Sequence, residues 1–359
     1  MAGSEQQRDA FVERLFLASV SAMDVLTIYV GDRLGLYRAL ADGGASTSSE
    51  LASAAGVDER YAREWLEQQA ASGILEVDDA SADPDRRRFR LPPGHAEALI
   101  DPESPYAMAA LCRSIAALGA GAPAVVEAFR TGEGVGWEAY GVDMIEAQGD
   151  FNRPWLVGSL ATEYLPSIPD LHDRLVAGAR VADVACGVGW AAISIARGYP
   201  NTVVHGYDLD EGSIALARAN AETAGVTDRV VFEARDGADG ANAGTYDLAV
   251  VVESIHDMSR PVEVLAAIRS MLKDDGTLIV ADERVGDAFE APGSETERLF
   301  YGYSVLTCLP SGMAEQPSAA TGTVMRQSTF EGYARAAGFE GVDVLPIEHD
   351  FLRFYRLDR

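Results

Sequence analysis

A short turn with two glycines is the segment of this sequence best suited to hold a ligand. Gly187 and Gly189 follow an apolar run at residues 181–185. Because glycine has no Cβ, the backbone can turn sharply there and approach a ligand closely. Residues 190–197 then predict a helix whose first N–H groups point at whatever sits over the turn. The segment therefore predicts a strand, a glycine turn and a helix arranged around a ligand.

Acidic residues mark three of the predicted strands. Asp183 lies inside the first strand, Asp208 ends a second strand at residues 202–207, and Asp236 follows a third at 229–234. In an open α/β sheet, ligands bind at the carboxyl ends of the strands. Asp183 could reach an ammonium group and Asp236 an adenine amine, and Asp208 stands at the ligand-binding edge. Each acid taken alone could also be an ordinary turn residue.

Two classes of cofactor fit these residues. The pattern Gly187-x-Gly189-x-x-Ala192, with an acid about 20 residues later, satisfies the dinucleotide fingerprint. That glycine pattern is weak evidence on its own. The positions of Asp183 and Asp236, and a fourth strand at Tyr246–Val252 that runs into Glu253, favour S-adenosylmethionine.

At these residues the chain resembles class I S-adenosylmethionine-dependent methyltransferases, over about residues 165–359. D-x-A-C-G-x-G, beginning at Asp183, is similar to the family's first motif, with Ala185 where the family more often has glycine. The resemblance implies an α/β fold with a Rossmann-like, doubly wound sheet, and S-adenosyl-L-methionine as the cofactor. It assigns cofactor binding to Asp183, Ala185, Gly187, Gly189, Asp208, Leu209, Asp236, Gly237 and Glu253.

A candidate general base follows the fourth strand. In similar O-methyltransferases, a histidine in a Leu-His-Asp context removes the substrate proton, and Ile255-His256-Asp257 matches that context. A hydroxyl is a poor nucleophile until a base takes its proton during attack. Histidine, with an ordinary pKa near 6.5, suits that task at neutral pH. The alternative is that His256 is a packing or capping residue.

A catalytic base needs a third group to orient it. By the same resemblance, the orienting acid follows a Val-Ala pair in the fifth strand, residues 277–281, which makes Asp282 the first choice. Glu283 is adjacent and would point to the opposite side if the strand continued. The two acids with His256 and Asp257 could also bind a divalent ion, but we predict no metal.

The N-terminal part of the sequence predicts a separate domain. Two helices, at residues 47–55 and 58–72, precede two short strands, which is a winged-helix arrangement. Tyr61, Trp65 and Leu66 are expected on one face of the second helix. We predict a winged-helix-like dimerisation domain at residues 1–100. A helical connector at 101–165 and a methyltransferase domain at 166–359 are expected to follow.

A winged helix often binds DNA, but this one is poorly suited to it. Its second helix carries Asp58, Glu59, Glu64 and Glu67 against two arginines, so it would meet phosphate badly. In similar small-molecule O-methyltransferases such a domain mediates dimerisation and walls the substrate pocket. The apolar segment at residues 11–40 is consistent with a homodimer.

Three residues are candidates for contact with the methyl acceptor. In similar methyltransferases, a Phe-Asn pair in the connecting helix faces the substrate, which points to Phe151 and Asn152. Tyr303 belongs to an aromatic helix after strand five that often lines the acceptor pocket. All three could instead be core or capping residues.

Composition narrows the class of substrate and the compartment. The chain has 359 residues and a formal net charge of −27, which disfavours nucleic acid as substrate or partner. Its three cysteines form no CxxC pair and suit a reducing cytoplasm. No secretory signal or membrane span is expected.

We therefore predict a cytoplasmic, homodimeric methyltransferase acting on a small molecule, most plausibly at a hydroxyl oxygen. The alternatives are a ligand-sensing winged-helix regulator and a methyltransferase-fold enzyme with non-methylating chemistry.

Overall fold

The computed structural model describes residues 2–237, 239 and 241–359. The chain divides into two units, Met1–Ala117 and Leu118–Arg359. The division falls within α6 (Ala109–Thr131), which is long and apolar enough to cross a membrane by length and composition. A core helix of a soluble protein meets the same criteria, so this feature alone does not indicate a membrane span.

The N-terminal unit is mostly helical, with one antiparallel pair of strands. Its helices before α6 are α1 (Ala2–Arg33), α2 (Leu36–Gly43), α3 (Ser48–Ala55), α4 (Glu59–Ala71) and α5 (Pro93–Ile100), and its strands are β1 (Glu76–Val77) and β2 (Phe89–Arg90). Its core includes Leu36, Tyr37, Leu40, Leu51, Trp65, Leu66 and Phe89. Helices followed by a hairpin form the winged-helix arrangement that the sequence predicts.

Side-chain caps explain where α3 and α4 begin. Thr47 Oγ1 accepts the backbone N–H of Glu50 at 3.3 Å, and the Glu50 carboxylate accepts the N–H of Thr47 at 2.8 Å. This reciprocal pair is a capping box. Asp58 caps α4 by accepting the N–H of Arg60 at 2.9 Å.

The expectation that Tyr61 shares the buried face of α4 is wrong, because its ring is 80% exposed. The buried positions of α4 are Ala62, Trp65, Leu66 and Gln69. They follow the i, i+3, i+4, i+7 spacing of one helix face. Tyr61 lies one residue round from that face and points to solvent.

The first helix is anchored at its C-terminal end only. Trp65 Nε1 donates to the carbonyl of Thr27 at 2.9 Å, and Gln69 Nε2 donates to the Thr27 hydroxyl at 3.1 Å. Residues 3–23, by contrast, are exposed along all sides of the helix. About six turns of α1 therefore lack packing within the unit.

The C-terminal unit alternates helices and strands after a helical segment. Its helices are α7 (Gly141–Trp155), α8 (Pro169–Ala177), α9 (Trp190–Gly198), α10 (Glu211–Ala224), α11 (Pro261–Met271), α12 (Glu295–Tyr303), α13 (Leu309–Gly312) and α14 (Gln327–Ala336). Its strands are β3 (Arg180–Val184), β4 (Val203–Asp208), β5 (Val230–Ala234), β6 (Tyr246–Val252), β7 (Leu272–Glu283), β8 (Asp343–Val344) and β9 (Leu352–Asp358). Single-turn 3₁₀ helices lie at Trp137–Tyr140, Leu165–Ser167 and Ile255–Asp257, and π-helical segments at Leu156–Tyr164 and Ser304–Cys308.

Within the described residues, the strands of this unit form one sheet in the order β5-β4-β3-β6-β7-β9-β8. The first five pair in parallel, and β9 is antiparallel to both β7 and β8. In chain order, β3 is the first strand of this sheet, and β4 and β5 are added on one side of it. The chain then crosses back, and β6 pairs on the other side of β3. Ligands bind at such a switch point, which here lies between the carboxyl ends of β3 and β6. The Rossmann-like, doubly wound fold predicted from the sequence is therefore confirmed.

Apolar side chains cover both faces of this sheet. One layer packs β3, β4 and β6 against α9 and α10, and the other packs β6 and β7 against α11 and α14. Burial on both faces explains why these strands appear in the sequence as continuous apolar runs. Strand β7 is longer than predicted, and it includes Asp282 and Glu283.

Candidate active site

The glycine turn between β3 and α9 adopts backbone conformations that most side chains disfavour. Gly187 and Gly189 have φ angles of 50° and 84°, and Ala185 has a φ of 57°. A Cβ on Gly189 would collide with the ring of Phe232, whereas one on Gly187 would meet nothing within 4 Å. Gly189 is therefore required for packing, and Gly187 leaves an open side where a ligand can approach the backbone.

Two acids, the buried Asp183 and the half-buried Asp208, lie against this turn. Asp183 accepts the backbone N–H of Ala192, in the first turn of α9, at 3.0 Å. Asp208 accepts the N–H of Gly187 at 2.8 Å and that of Asp210 at 2.9 Å. Burial raises the pKa of Asp183 to about 7, and burial also raises the pKa of Asp208.

The charge of this pair tests which cofactor the turn can hold. Among the described residues, neither Asp183 nor Asp208 has an ion-pair partner. A buried carboxylate is costly unless it is paired, so the site favours a ligand that brings positive charge. S-adenosylmethionine carries an ammonium and a sulfonium, whereas a dinucleotide brings two phosphates close to the turn. The residues present therefore fit S-adenosylmethionine.

The other predicted cofactor residues after β4 and β5 lie at the same edge of the sheet. Leu209 is largely exposed, and the Asp236 carboxylate accepts from Arg260 Nη2 at 3.1 Å. Gly237 lies so close to Val184 that a Cβ would come within 2.9 Å of its Cγ1. Because β3, β4 and β5 are parallel, these positions share an edge with the glycine turn. Their contact with the cofactor remains a prediction.

His256 lies in the single-turn helix that follows β6 and is only 2% exposed. Its Nδ1 is 2.9 Å from Asp282 Oδ1 and 2.8 Å from Glu283 Oε2. Only the contact with Asp282 has hydrogen-bond geometry, because Glu283 Oε2 has no hydrogen-bond partner. Nδ1 therefore donates to Asp282, which holds the imidazole as an orienting acid would.

In a continuing strand, the side chains of Asp282 and Glu283 would point to opposite faces of the sheet, but Glu283 does not follow this alternation. Glu283 is the last residue of β7, where the pleat no longer fixes the direction of the side chain. Its carboxyl group reaches the same imidazole nitrogen as that of Asp282. The two acids thus act on one histidine from adjacent positions.

Burial and the neighbouring charges shift the pKa values of all three groups. Burial opposes ionisation of His256, but the Glu283 and Asp282 carboxyls more than offset it and raise the pKa of His256 well above its usual value. Burial likewise opposes ionisation of Asp282, but His256 lowers the pKa of that carboxyl. Burial raises the pKa of Glu283 well above its usual range. The pKa values of Asp282 and Glu283 are therefore shifted in opposite directions.

The same three side chains could together bind a metal ion. One ligand atom from each of His256, Asp282 and Glu283 lies within 4.8 Å of the others. Within this cluster, His256 Nδ1 is already hydrogen-bonded to Asp282 Oδ1 at 2.9 Å. The expectation of no metal remains a prediction.

Glu253, at the carboxyl end of β6, is bonded to α7. Its Oε2 accepts from Gln148 Nε2 at 2.8 Å and from Asn152 Nδ2 at 2.7 Å. Asn152 Oδ1 in turn accepts from Trp155 Nε1 at 2.8 Å. The Asn152 side chain is therefore engaged on both its nitrogen and its oxygen, and its assignment to the acceptor remains a prediction.

The other two predicted acceptor residues are partly buried aromatics. The Phe151 ring lies 6.0 Å from that of Phe351, and Phe351 also contacts Phe300 of α12. Tyr303 is the last residue of α12, immediately before the π-helical segment Ser304–Cys308. Phe151 and α12 thus border one aromatic group in the C-terminal unit.

Sequence analysis missed three side chains that contact the site. Gln148 holds Glu253 from one turn before Asn152. The Arg153 guanidinium lies 4.3 Å above the Trp190 ring at the start of α9. Burial raises the pKa of the Cys308 thiol, and the neighbouring His256 partly offsets that rise. Only the i, i+4 spacing of Gln148 and Asn152 could have been read from the sequence.

Comparison with known proteins identifies the two parts of the chain. Residues 175–325 match the family described as methyltransferase domain, and residues 22–100 match the Rv2258c-like winged HTH domain. Ubiquinone biosynthesis O-methyltransferase of Ralstonia nicotianae is 27% identical over 49% of this chain and 68% of its own length. The enzyme of the same name from Vibrio campbellii is 31% identical over 36% of this chain and 53% of its own. The chain thus spans about half to two thirds of these relatives.

Solved structures share the fold over almost the whole chain. Mitomycin 7-O-methyltransferase superposes with a TM-score of 0.68 at 22% identity and covers 98% of this chain and 99% of its own. Human N-acetylserotonin methyltransferase, solved with S-adenosylmethionine, gives 0.67 at 15% identity and covers 97% of each chain. At these identities the similarity establishes the fold. Together with the domain match, it confirms the predicted resemblance and the predicted cofactor.

Proposed function

Since this chain is an enzyme whose S-adenosylmethionine-dependent methyltransferase domain follows a winged-helix domain in the sequence, we propose that it methylates a hydroxyl oxygen of a small molecule, with His256 as general base. The observation that carries the proposal is the bond from His256 Nδ1 to Asp282 at the carboxyl end of β6, beside the glycine turn. The similarity to mitomycin 7-O-methyltransferase and to the ubiquinone biosynthesis O-methyltransferases supports an oxygen acceptor.

When bound, S-adenosylmethionine supplies a methyl group on a cationic sulfur that an oxygen nucleophile can attack. Gly187, Asp183 and Asp208 would hold the cofactor. The guanidinium of Arg153, next to the first residue of α9, is suited to its carboxylate.

The protein's own part in the reaction is to position the acceptor and to take its proton. In the neutral imidazole, Asp282 holds the hydrogen on Nδ1, so Nε2 carries none and can accept one from the acceptor hydroxyl. The resulting imidazolium is stabilised by the ionised Asp282 carboxylate at 2.9 Å. A positioned base contributes about 10²- to 10⁴-fold in rate.

The test begins with a screen of small-molecule acceptors using labelled cofactor. With an acceptor in hand, His256→Ala should lower turnover by about 10²- to 10⁴-fold and leave the affinity for S-adenosylhomocysteine little changed. Near-normal turnover would mean that positioning alone drives transfer. A labelled product methylated at nitrogen or carbon would overturn the assignment to oxygen.

The winged-helix domain raises a second candidate function, that of a ligand-sensing regulator. The charges on α4 disfavour it, because Arg63 is paired with Glu59 at 2.7 Å and Arg60 is paired with Glu64. Arg87, from the loop before β2, is paired with Glu67 at 2.6 Å. Salt-sensitive, sequence-specific binding to duplex DNA would favour the regulator and count against a purely enzymatic role.

We further propose that the protein is a cytoplasmic homodimer. The three cysteines are free, which suits a reducing compartment. The exposed apolar side chains of α1, including Phe11, Phe16 and Leu17, support self-association. The position of His256 favours methyl transfer over a non-methylating reaction on the same fold, because a base there suits deprotonation of a methyl acceptor.

A further inference from the structure

The hydrogen bonds of Glu253 join two parts of the C-terminal unit that lie far apart in the sequence. Gln148 and Asn152 stand four residues apart and so share one face of α7. Both donate to a single oxygen, Glu253 Oε2, at 2.8 and 2.7 Å. Asn152 is itself fixed, because its Oδ1 accepts from Trp155 Nε1. These bonds attach α7 to the end of β6.

The backbone of Glu253 is held in an uncommon conformation at this point. Its φ is 47°, in the left-handed region that non-glycine residues rarely adopt. Its N–H donates to the carbonyl of Ala281 at 2.7 Å, immediately before Asp282 on β7. Such a conformation costs of order 1–3 kcal/mol and persists where the surrounding structure over-determines it. Here the surrounding contacts come from both α7 and β7.

Glu253 also lies at the start of the turn that carries His256. The strand ends at Val252, and the single-turn helix begins at Ile255. Only Ser254 and Ile255 therefore lie between Glu253 and His256 in the chain. Any shift of Glu253 would move His256 relative to Asp282, which sits on a different strand.

We propose that Gln148, Asn152 and Glu253 form a positioning clamp that sets His256 against α7, the helix that carries the predicted acceptor residue Phe151. The clamp does not take part in the transfer itself. It ties the helix expected to contact the acceptor to the turn that carries the base. The inference rests on the proposed role of His256.

The polarity of the clamp allows a reciprocal substitution test. Asn152→Asp sets one carboxylate against another, so it should loosen Glu253 and slow single-turnover methyl transfer by about 10- to 100-fold. Combining Asn152→Asp with Glu253→Gln exchanges donor and acceptor. The amide at position 253 then donates to the carboxylate at position 152. The Gln148 amide can rotate so that its oxygen accepts from the amide at position 253. The double variant should recover most of the lost rate.

A matched control is available in α14, where the pair is likewise partly buried. Gln327 Nε2 donates to Glu331 Oε1 at 2.8 Å within α14, which is the same kind of amide–carboxylate bond. Gln327→Glu places two carboxylates next to each other in the same way but away from the site, so it should leave the transfer rate unchanged. Melting temperatures of all variants show whether each remains folded.

The position of His256 needs a readout that does not depend on activity. The NMR signals of the His256 imidazole, and the pH at which they titrate, should change in Asn152→Asp and return in the double variant. Unchanged signals and an unchanged rate in Asn152→Asp would overturn the clamp, as would a double variant no better than the single one. If the signals follow the clamp while His256→Ala turns over normally, the clamp stands and the base assignment fails.

Discussion

Two acids from the end of one strand act on His256 in different ways. Asp282 makes the hydrogen bond and Glu283 does not, although both carboxyl groups approach Nδ1 within 3 Å. Two adjacent buried carboxyls cannot both ionise at low cost. Asp282 is the one that ionises more readily, because His256 lowers its pKa whereas burial raises that of Glu283. Both carboxyls raise the pKa of His256, and the charge of Glu283 raises it more than that of Asp282.

The pH dependence of transfer follows from this arrangement. The ordinary pKa of histidine predicts a fall in rate below about pH 6, but the carboxyls raise the pKa of His256 well above 6.5. Only the neutral imidazole can accept a proton, so the rate should fall as pH decreases through this raised value. Asp282→Asn removes one of the two charges that raise the pKa of His256, and it should move the transition to lower pH. Single-turnover rates measured across pH check both the position and the direction of the shift.

A second prediction concerns Asp208 and cofactor affinity. Its carboxylate accepts the N–H groups of Gly187 and Asp210, and the resemblance assigns it a ribose hydroxyl. Asp208→Asn puts an amide in place of a charged acceptor, and losing one such bond costs about 1.5–3 kcal/mol. Calorimetry should show S-adenosylhomocysteine binding about 10- to 150-fold more weakly. Unchanged affinity would show that Asp208 only braces the turn.

The strands and the glycine turn could be predicted from sequence because their signals are local. Tyr246–Val252 is a continuous apolar run and was predicted with its exact bounds. The acids at the strand ends could be placed because parallel strands end at a common edge. The contact of Gln148 with Glu253 could not, because it joins residues more than a hundred positions apart. The direction of Glu283 was missed because the alternation rule fails at the last residue of a strand.

Ala185 shows a local cost within an otherwise well-adapted turn. It adopts a φ of 57°, at a position where similar methyltransferases more often have glycine. The left-handed conformation costs a non-glycine residue roughly 1–2 kcal/mol. Ala185→Gly should therefore raise the free energy of unfolding by up to about 1 kcal/mol, after the greater loss of backbone entropy for glycine.

Denaturant unfolding of the variant measures this effect. Ala192→Gly is the matched control, because Ala192 is buried in the regular part of α9 and glycine there should destabilise the fold. Equal destabilisation by both substitutions would show that the backbone at Ala185 is not strained.

At the scale of the whole molecule, two features indicate which partners the chain can bind: its acidic net charge and the exposed apolar side chains of α1. A net charge of −27 repels nucleic acid and favours a neutral or cationic small molecule. The exposed apolar length of α1 requires a different explanation, since charge alone would keep the chain soluble and monomeric. A second copy of the chain could cover these apolar side chains, and it is present wherever the chain itself is present.

Disruption of α1 should therefore change the oligomeric state. Phe16 is 66% exposed, with Leu17 and Met23 exposed at 57% and 60% on the same helix. Burial of such a side chain contributes about 1.5–3 kcal/mol, so Phe16→Glu should convert a dimer to a monomer or weaken it strongly. Tyr61→Glu is the control, because Tyr61 is an exposed aromatic residue of α4, at 80%. Light scattering after size exclusion gives the mass of each variant. If the unsubstituted protein has the mass of one chain, the apolar side chains of α1 are not buried against a second copy, and the dimer is excluded.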